Sequence, residues 1–126
     1  QTAGSAAFDL YAREDVEILP KEIKIVWSNI IVDTPDGYML MLTNRSSTPK
    51  RKGLMVPNGV GIIDSDYCGP NDELGALMYN FTEQTVKVEK GERIAQAIFI
   101  KIEKSEWEEV EEMKNKNRGG MGSTGK

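Results

Sequence analysis

The sequence predicts an all-β fold, a jelly-roll-like barrel or sandwich with one short helix, and three observations carry that expectation. β-branched, aromatic and other apolar residues gather in short runs at 16–19, 23–32, 38–43, 74–79, 85–88 and 93–102. Turn formers separate the runs, at Pro20, Pro35-Asp36-Gly37, Pro57-Asn58-Gly59, Gly69-Pro70-Asn71-Asp72 and Lys90-Gly91, which is the rhythm of a sandwich or barrel. Only residues 49–52 carry a compact set of helix signals, with Thr48 as N-cap, Pro49 in the first helical position and Gly53 to end it.

In chain order, Ala3-Gly4-Ser5-Ala6-Ala7-Phe8-Asp9-Leu10 reads as a tight small-residue turn ahead of a strand. Asn44-Arg45-Ser46-Ser47 stands at the entry of the helix, where hydroxyls, backbone N–H groups and a guanidinium can donate to phosphate oxygens. The same residues also fit an ordinary helix cap. Asn58-Gly59 between β-prone runs predicts a hairpin whose backbone can pair with the edge of a base, and the strand after it delivers Asp64 and Tyr67 close together. Gly91-Glu92-Arg93-Ile94-Ala95-Gln96 is a turn feeding a strand. Residues 103–113 stay open between helix and extended chain, because Trp107, Val110 and Met113 recur at near-helical spacing in a strongly acidic stretch.

The remaining residues, 114–126, are rich in Lys, Asn, Gly and Ser and bury too little apolar surface to order themselves. We expect a mobile C-terminal arm on a β core of residues 1–113, all within a single domain of 126 residues. Within the arm, Arg118-Gly119-Gly120-Met121-Gly122-Ser123-Thr124-Gly125 has the make-up of a loop whose amides wrap phosphates.

Composition narrows the chemistry. The chain has no histidine and one cysteine, Cys68. The commonest general base and the commonest transition-metal ligand are therefore missing together, and acid–base work falls to carboxylates, Lys or Tyr. A disulfide within the chain is excluded. The net charge of −4 argues against a broad nucleic-acid footprint, so a bound polyanion needs local cations, amides or a divalent metal. With no stretch approaching the ~20 apolar residues of a membrane helix and no leader pattern, the expectation is a cytoplasmic protein without direct nucleic-acid or membrane partners.

Taken in order, the five polar segments resemble the five signature motifs of the homotrimeric dUTPase family, and they span nearly the whole chain. The resemblance implies a β-jelly roll that assembles as a homotrimer with shared active sites. It also implies Mg²⁺-dependent hydrolysis of dUTP to dUMP and pyrophosphate, which keeps uracil out of DNA and supplies dUMP for thymidylate synthesis.

Carried over residue by residue, Asp64 matches the aspartate that activates the attacking water, and Tyr67 the ring against the deoxyribose. Asn58 with Gly59, Val60, Gly61, Ile62 and Ile63 matches the hairpin that reads uracil, and Gly75 lines the same pocket. Arg45, Ser46, Ser47 and Gln96 match phosphate binders. Asp9 matches an acid that touches Mg²⁺ through water, the metal being held mainly by the triphosphate. Arg118, Ser123 and Thr124 match the groups that cap the γ-phosphate, with Lys116 an alternative to Arg118.

Three departures stand out. Met121, with Gly122, stands where the family has an aromatic ring over the base, so thioether contact replaces stacking. Pro70-Asn71-Asp72-Glu73 lengthens the connection after Gly69. The family carries an earlier strand ahead of the motif on which this sequence opens. Alternatives on the same fold are a dCTP deaminase-like enzyme and a regulatory binding protein.

Overall fold

The computed structural model describes residues 2–120. Among these, nine strands and one helix follow one another as β1 Phe8–Tyr11, β2 Val16–Ile18, β3 Ile23–Trp27, β4 Tyr38–Asn44, α1 Thr48–Lys52, β5 Leu54–Met55, β6 Gly61–Ile63, β7 Gly75–Asn80, β8 Val86–Val88 and β9 Arg93–Lys101. They form a four-stranded sheet in the order β1-β9-β4-β6, a three-stranded sheet β3-β7-β5 and a ribbon β2-β8. All these pairings are antiparallel. The all-β expectation with one short helix holds.

Period-two alternation builds the core. Leu40 and Leu42 of β4, Ala76 and Met78 of β7, and Ala95 and Ala97 of β9 point inward and meet Leu10, Ile18, Val26 and Leu54. The opposite face of the three-stranded sheet is also apolar. Ile25 lies across from Leu77, and Ile23 and Met55 both lie across from Tyr79, yet Ile23, Ile25, Leu77 and Met55 are exposed.

Several elements differ from the sequence expectation. The run 23–32 is a strand only to Trp27, because Asn29 takes a left-handed φ of 58° and the Ser28 and Ile30 backbones turn to bond Leu74. The N-cap of α1 is Ser47, not Thr48, and it makes no side-chain cap bond. Thr48 is instead the first helical residue and is buried.

The Asn58-Gly59 turn is not a hairpin between paired strands. β5 pairs with β7, whereas β6 pairs with β4, so the turn carries the chain from one sheet to the other. Pro57 leads a turn closed by the Gly59 N–H to the Val56 carbonyl at 3.1 Å, and the left-handed residue is Gly59, at φ 77°. Residues 103–113 adopt neither helix nor strand. Trp107, Val110 and Met113 are exposed there, since no element among the described residues offers the apolar stripe a second face.

Asn80 is fully buried at the end of β7. Its amide nitrogen reaches the carbonyls of Ile18 at 2.9 Å, Leu19 at 3.1 Å and Gln84 at 2.7 Å, and its oxygen accepts from the Thr82 N–H and hydroxyl. One side chain thus satisfies backbone groups of β2 and of the β7–β8 turn that are otherwise stranded away from water. Asn80→Ala is expected to cost about 3 kcal/mol, read from the denaturant midpoint at an unchanged m-value.

On the surface, the Asp15 carboxylate accepts the Lys90 N–H at 2.8 Å and pairs with Lys87 at 3.1 Å. The Lys90 amide first, and the Lys87 ammonium second, hold its pKa below the ordinary carboxylate value. A carboxyl depressed by folding stabilises above its unfolded pKa of about 3.9 and loses that contribution as pH falls through the lower folded value. Asp15→Asn is therefore expected to melt below the parent at neutral pH, with the gap closing in strong acid. Parallel melting curves across the acid range would contradict this.

Candidate active site

β6 runs along the edge of β4, pairing Ile63 with Leu40, Ile62 with Met41 and Gly61 with Leu42. The strand stops at Ile63, and Asp64 opens a turn closed by the Tyr67 N–H to the Asp64 carbonyl at 3.2 Å. The exposed carboxylate of Asp64 thereby stands at a cleft of about 340 Å³ whose lining includes Trp27, Ile62, Ile63, Tyr67, Glu73 and Gly75. A side chain at Gly75 would meet Ile25 Cγ2 at 2.6 Å and two carbons of the Trp27 ring at 2.8 Å. Glycine is what lets the indole lie on the β7 backbone. Asn58 and Gly61 line a smaller cavity of about 70 Å³ that shares Ile63, Gly75 and Leu77 with this cleft. Gly59 and Val60 are exposed at the turn beside it.

A second group of polar residues gathers around β9. Gln96 lies across from Asp9 of β1 on one side and Thr43 of β4 on the other, and its amide donates to the Asn44 carbonyl at 2.8 Å. Asn44 in turn accepts the Val56 N–H at 2.9 Å, fixing the end of β4 from which Arg45 projects. Arg45 Nε donates to Asp9 Oδ1 at 2.7 Å, and Arg93 Nη1 reaches Asp9 Oδ2 at 3.5 Å.

Arg45, Ser47, Thr48, Arg51, Lys52, Glu92 and Arg93 line a cleft of about 220 Å³. Four cations face one carboxylate there, and that carboxylate, Glu92, is paired with Lys52 at 2.8 Å. By its charge and its donor groups the cleft suits an anion. Asp9, Arg93 and Gln96 also line an adjoining hollow of about 710 Å³. Ser46 is exposed and lines neither.

The predicted residues thus fall into two groups. Asp64, Tyr67, Gly75, Ile62 and Ile63, with Asn58 and Gly61 adjoining, make an apolar cleft that carries an acid; Arg45 and Ser47 line a cationic one, and Asp9 and Gln96 line the hollow that adjoins it. No residue lines both. Lys116 and Arg118 are exposed and outside both groups, and Met121, Gly122, Ser123 and Thr124 lie outside the described residues.

Arg51, Lys52 and Arg93 in the cationic cleft, and Trp27 and Glu73 in the apolar one, were not singled out as site residues from the sequence. The positively charged run Lys50-Arg51-Lys52 was a usable signal. For Trp27, 37 residues before Asp64 in the chain, no local signal exists. Among the described residues no group of three or more His, Cys, Asp or Glu side chains is placed to hold a metal ion, and no helix is long and apolar enough to cross a membrane.

An acid on an apolar, ring-lined cleft and a separate cluster of guanidinium and ammonium groups describe a protein that handles a phosphorylated organic ligand and has a carboxylate to act on it. Known proteins agree. The dUTPase family model matches residues 1–125. The deoxyuridine 5'-triphosphate nucleotidohydrolase of Lactococcus lactis is 39% identical over 98% of this chain and 84% of its own length. The Helicobacter pylori protein of the same name is 38% identical over 99% and 86%.

The crystal structure of the dUTPase from Streptococcus mutans superposes with a TM-score of 0.81 at 38% identity, covering 85% of this chain and 86% of that one. The Staphylococcus bacteriophage 80alpha dUTPase with dUPNHPP reaches a TM-score of 0.86 at 26% identity over 99% and 89%. The chain belongs to the dUTPase family, and its activity is the hydrolysis of dUTP on an all-β, jelly-roll fold.

Gly75→Ala is expected to drive Trp27 off the β7 backbone at a cost of about 1–3 kcal/mol, measured by denaturant unfolding. Parental stability would mean that the ring yields freely and that the cleft floor is soft.

Proposed function

We propose that Asp64 is the general base of dUTP hydrolysis. Its carboxylate takes a proton from a water molecule as the water oxygen bonds to the α-phosphorus. The bond from that phosphorus to the bridging oxygen breaks in line, and the electron pair leaves with pyrophosphate, giving dUMP. Such a reaction needs orientation and charge neutralisation more than covalent catalysis by the protein, and a positioned carboxylate supplies the proton acceptor in a chain without histidine. The observation that carries the reading is the position of Asp64 at the mouth of an apolar cleft with Tyr67 and Gly75 on its walls.

In this reading the base enters that cleft. Asn58 and the backbone of Gly59, Val60, Gly61, Ile62 and Ile63 read uracil, Tyr67 packs on the deoxyribose, and Gly75 lines the floor. Arg45, Ser46, Ser47 and Gln96 bind the phosphates. Arg118, Ser123 and Thr124 cap the γ-phosphate, and Met121 with Gly122 covers the base.

Asp9 does not suit direct metal coordination, because both of its oxygens face arginines. Asp9 would instead meet a triphosphate-borne Mg²⁺ through water. When bound, the cation offsets phosphate charge. A substrate drawn from the DNA-precursor pool fits an intracellular site of action.

We further infer that the active site is completed between subunits of a homotrimer. Two observations support this: the acid-bearing cleft and the cationic cleft share no residue within one chain, and the β3-β7-β5 sheet leaves an apolar face uncovered. Pyrophosphate release from dUTP is expected to fall about 100-fold or more in Asp64→Asn, and Arg45→Ala is expected to raise KM strongly. Co-expressing the two defective chains is expected to restore part of the activity, since mixed trimers hold some sites with both native residues. Undiminished turnover in Asp64→Asn would remove the base, and failure of the mixture to regain activity would place both residues in one chain's site.

A further inference from the structure

The connection from Tyr67 to β7 is folded back on itself. The Gly69 N–H donates to Asp72 Oδ2 at 2.7 Å and the Asp72 N–H to the Gly69 carbonyl at 3.0 Å, so that the Glu73 carbonyl comes within 3.3 Å of the Tyr67 hydroxyl. A bond that long positions a ring only if its acceptor is itself immobile. The Glu73 side chain supplies the anchorage. One carboxylate oxygen accepts the Asn29 N–H at 2.6 Å, at a residue with a left-handed φ of 58°, and the other pairs with Arg13 Nη1.

Arg13 is held in turn, by its N–H to the Trp27 carbonyl at 2.8 Å and by its guanidinium lying 5.9 Å from the centre of the Trp27 ring. Next to Glu73, Leu74 is fixed by its N–H to Ile30 and by the buried Ser28 hydroxyl, which donates to its carbonyl at 2.7 Å. The chain thus ties three walls of the Asp64 cleft, Trp27, Glu73 and Tyr67, to a single ion pair whose members are 60 residues apart.

We propose that Arg13 and Glu73 are positioning residues for sugar specificity: their ion pair fixes the Glu73 backbone, and through it the height of the Tyr67 ring over the sugar. This rests on the reading of Tyr67 as the ring packed on the deoxyribose, where it would leave no room for a 2′-hydroxyl. Arg13 does not line the cleft, and Glu73 lines it beside Tyr67. Loosening it lets the ring rise, which admits a ribose and weakens the grip on deoxyribose without disturbing the proton transfer at Asp64.

The test compares kcat and KM for dUTP and UTP in the parent, Glu73→Gln, Arg13→Met, Arg13→Lys and the Arg13→Met/Glu73→Gln double variant. Glutamine still accepts the Asn29 N–H, and methionine still packs on Trp27; Arg13→Met also removes the exposed Arg13–Glu14 pair and the cation over the indole, so Glu73→Gln is the narrower deletion of the ion pair. In both single variants, the ratio of kcat/KM for dUTP over UTP is expected to fall about tenfold, through a higher KM for dUTP and a gain with UTP; for Arg13→Met, outside the cleft lining, kcat for dUTP is also expected to stay nearly constant. The double variant is expected to be no worse than either single one, and Arg13→Lys to recover much of the ratio.

A merely structural pair would lower the melting temperature, or kcat for both nucleotides, and leave the ratio alone. A ratio within twofold of the parent in both single variants overturns the proposal while dUTP selectivity of the parent leaves the proposed function standing. A parent that hydrolyses UTP as well as dUTP overturns the proposed function, and this inference with it.

Discussion

The register of β9 is the constraint on which the cationic half of the site depends. β9 pairs with β1 on one side and β4 on the other, which sets Gln96 between Asp9 and Thr43. Because side chains alternate across a strand, a slip of one residue would turn Gln96 to the other face and part it from the Asn44 carbonyl. The buried Ile94, Ala95 and Ala97 make such a slip costly, since it would drag apolar groups into water. The core thereby specifies part of the site: the alternation that buries Ala95 and Ala97 turns Gln96 the other way, while Arg93, beyond the register shift opposite Leu10 and Tyr11, reaches Asp9.

Asp9 then shapes what the cleft can bind. By taking Arg45 through Nε at 2.7 Å, it orients the guanidinium so that the two amino groups remain for an anion, the fork geometry that matches phosphate oxygens. Its second oxygen, toward Arg93 at 3.5 Å, keeps two cations close that would otherwise repel. The chain carries a net charge of −4, but at physiological ionic strength charges beyond a Debye length of about 8 Å count for little. On the proposed reading, what a triphosphate meets is the local balance of Arg45, Arg51, Lys52 and Arg93 against Glu92 and Asp9, and that balance is positive.

How much of this was legible in the sequence follows from how local each signal is. Asp64 and Tyr67 are three residues apart in one loop, and the absence of histidine already favoured a carboxylate base. Arg45 and Ser47 sit in a single segment at a helix start. The strand runs were readable from β-prone residues and turn formers, and α1 from Pro49 and Gly53.

The failures come from long-range partners. The Asn58-Gly59 pair is a hairpin signal only if the strands around it pair with each other; here β7 captures β5 and β4 captures β6, and no local property of the turn announces that. The run 23–32 breaks after Trp27 because Ser28 and Ile30 bond Leu74, more than forty residues downstream. Arg13 and Glu73 read as ordinary surface charges until the fold brings them together.

The uncovered apolar face and the divided site point to one physical cause. Ile23, Ile25 and Leu77 belong to the exposed face of β3 and β7, while Ile25 and Leu77 also line the Asp64 cleft. The surface that most needs covering is thus continuous with the wall of the cleft that holds the acid. On the proposed assembly, the contact that removes this surface from water also brings a neighbour's residues to the rim of that cleft. Among the described residues a single chain places no cation in the lining of the Asp64 cleft, and on the proposed assembly a neighbour's Arg45 cluster would complete the site. Hydrophobic burial would then enforce catalytic geometry, because the site forms only where the sheets meet, and a monomer that left Ile25 and Leu77 in water would also leave the triphosphate of its ligand unheld.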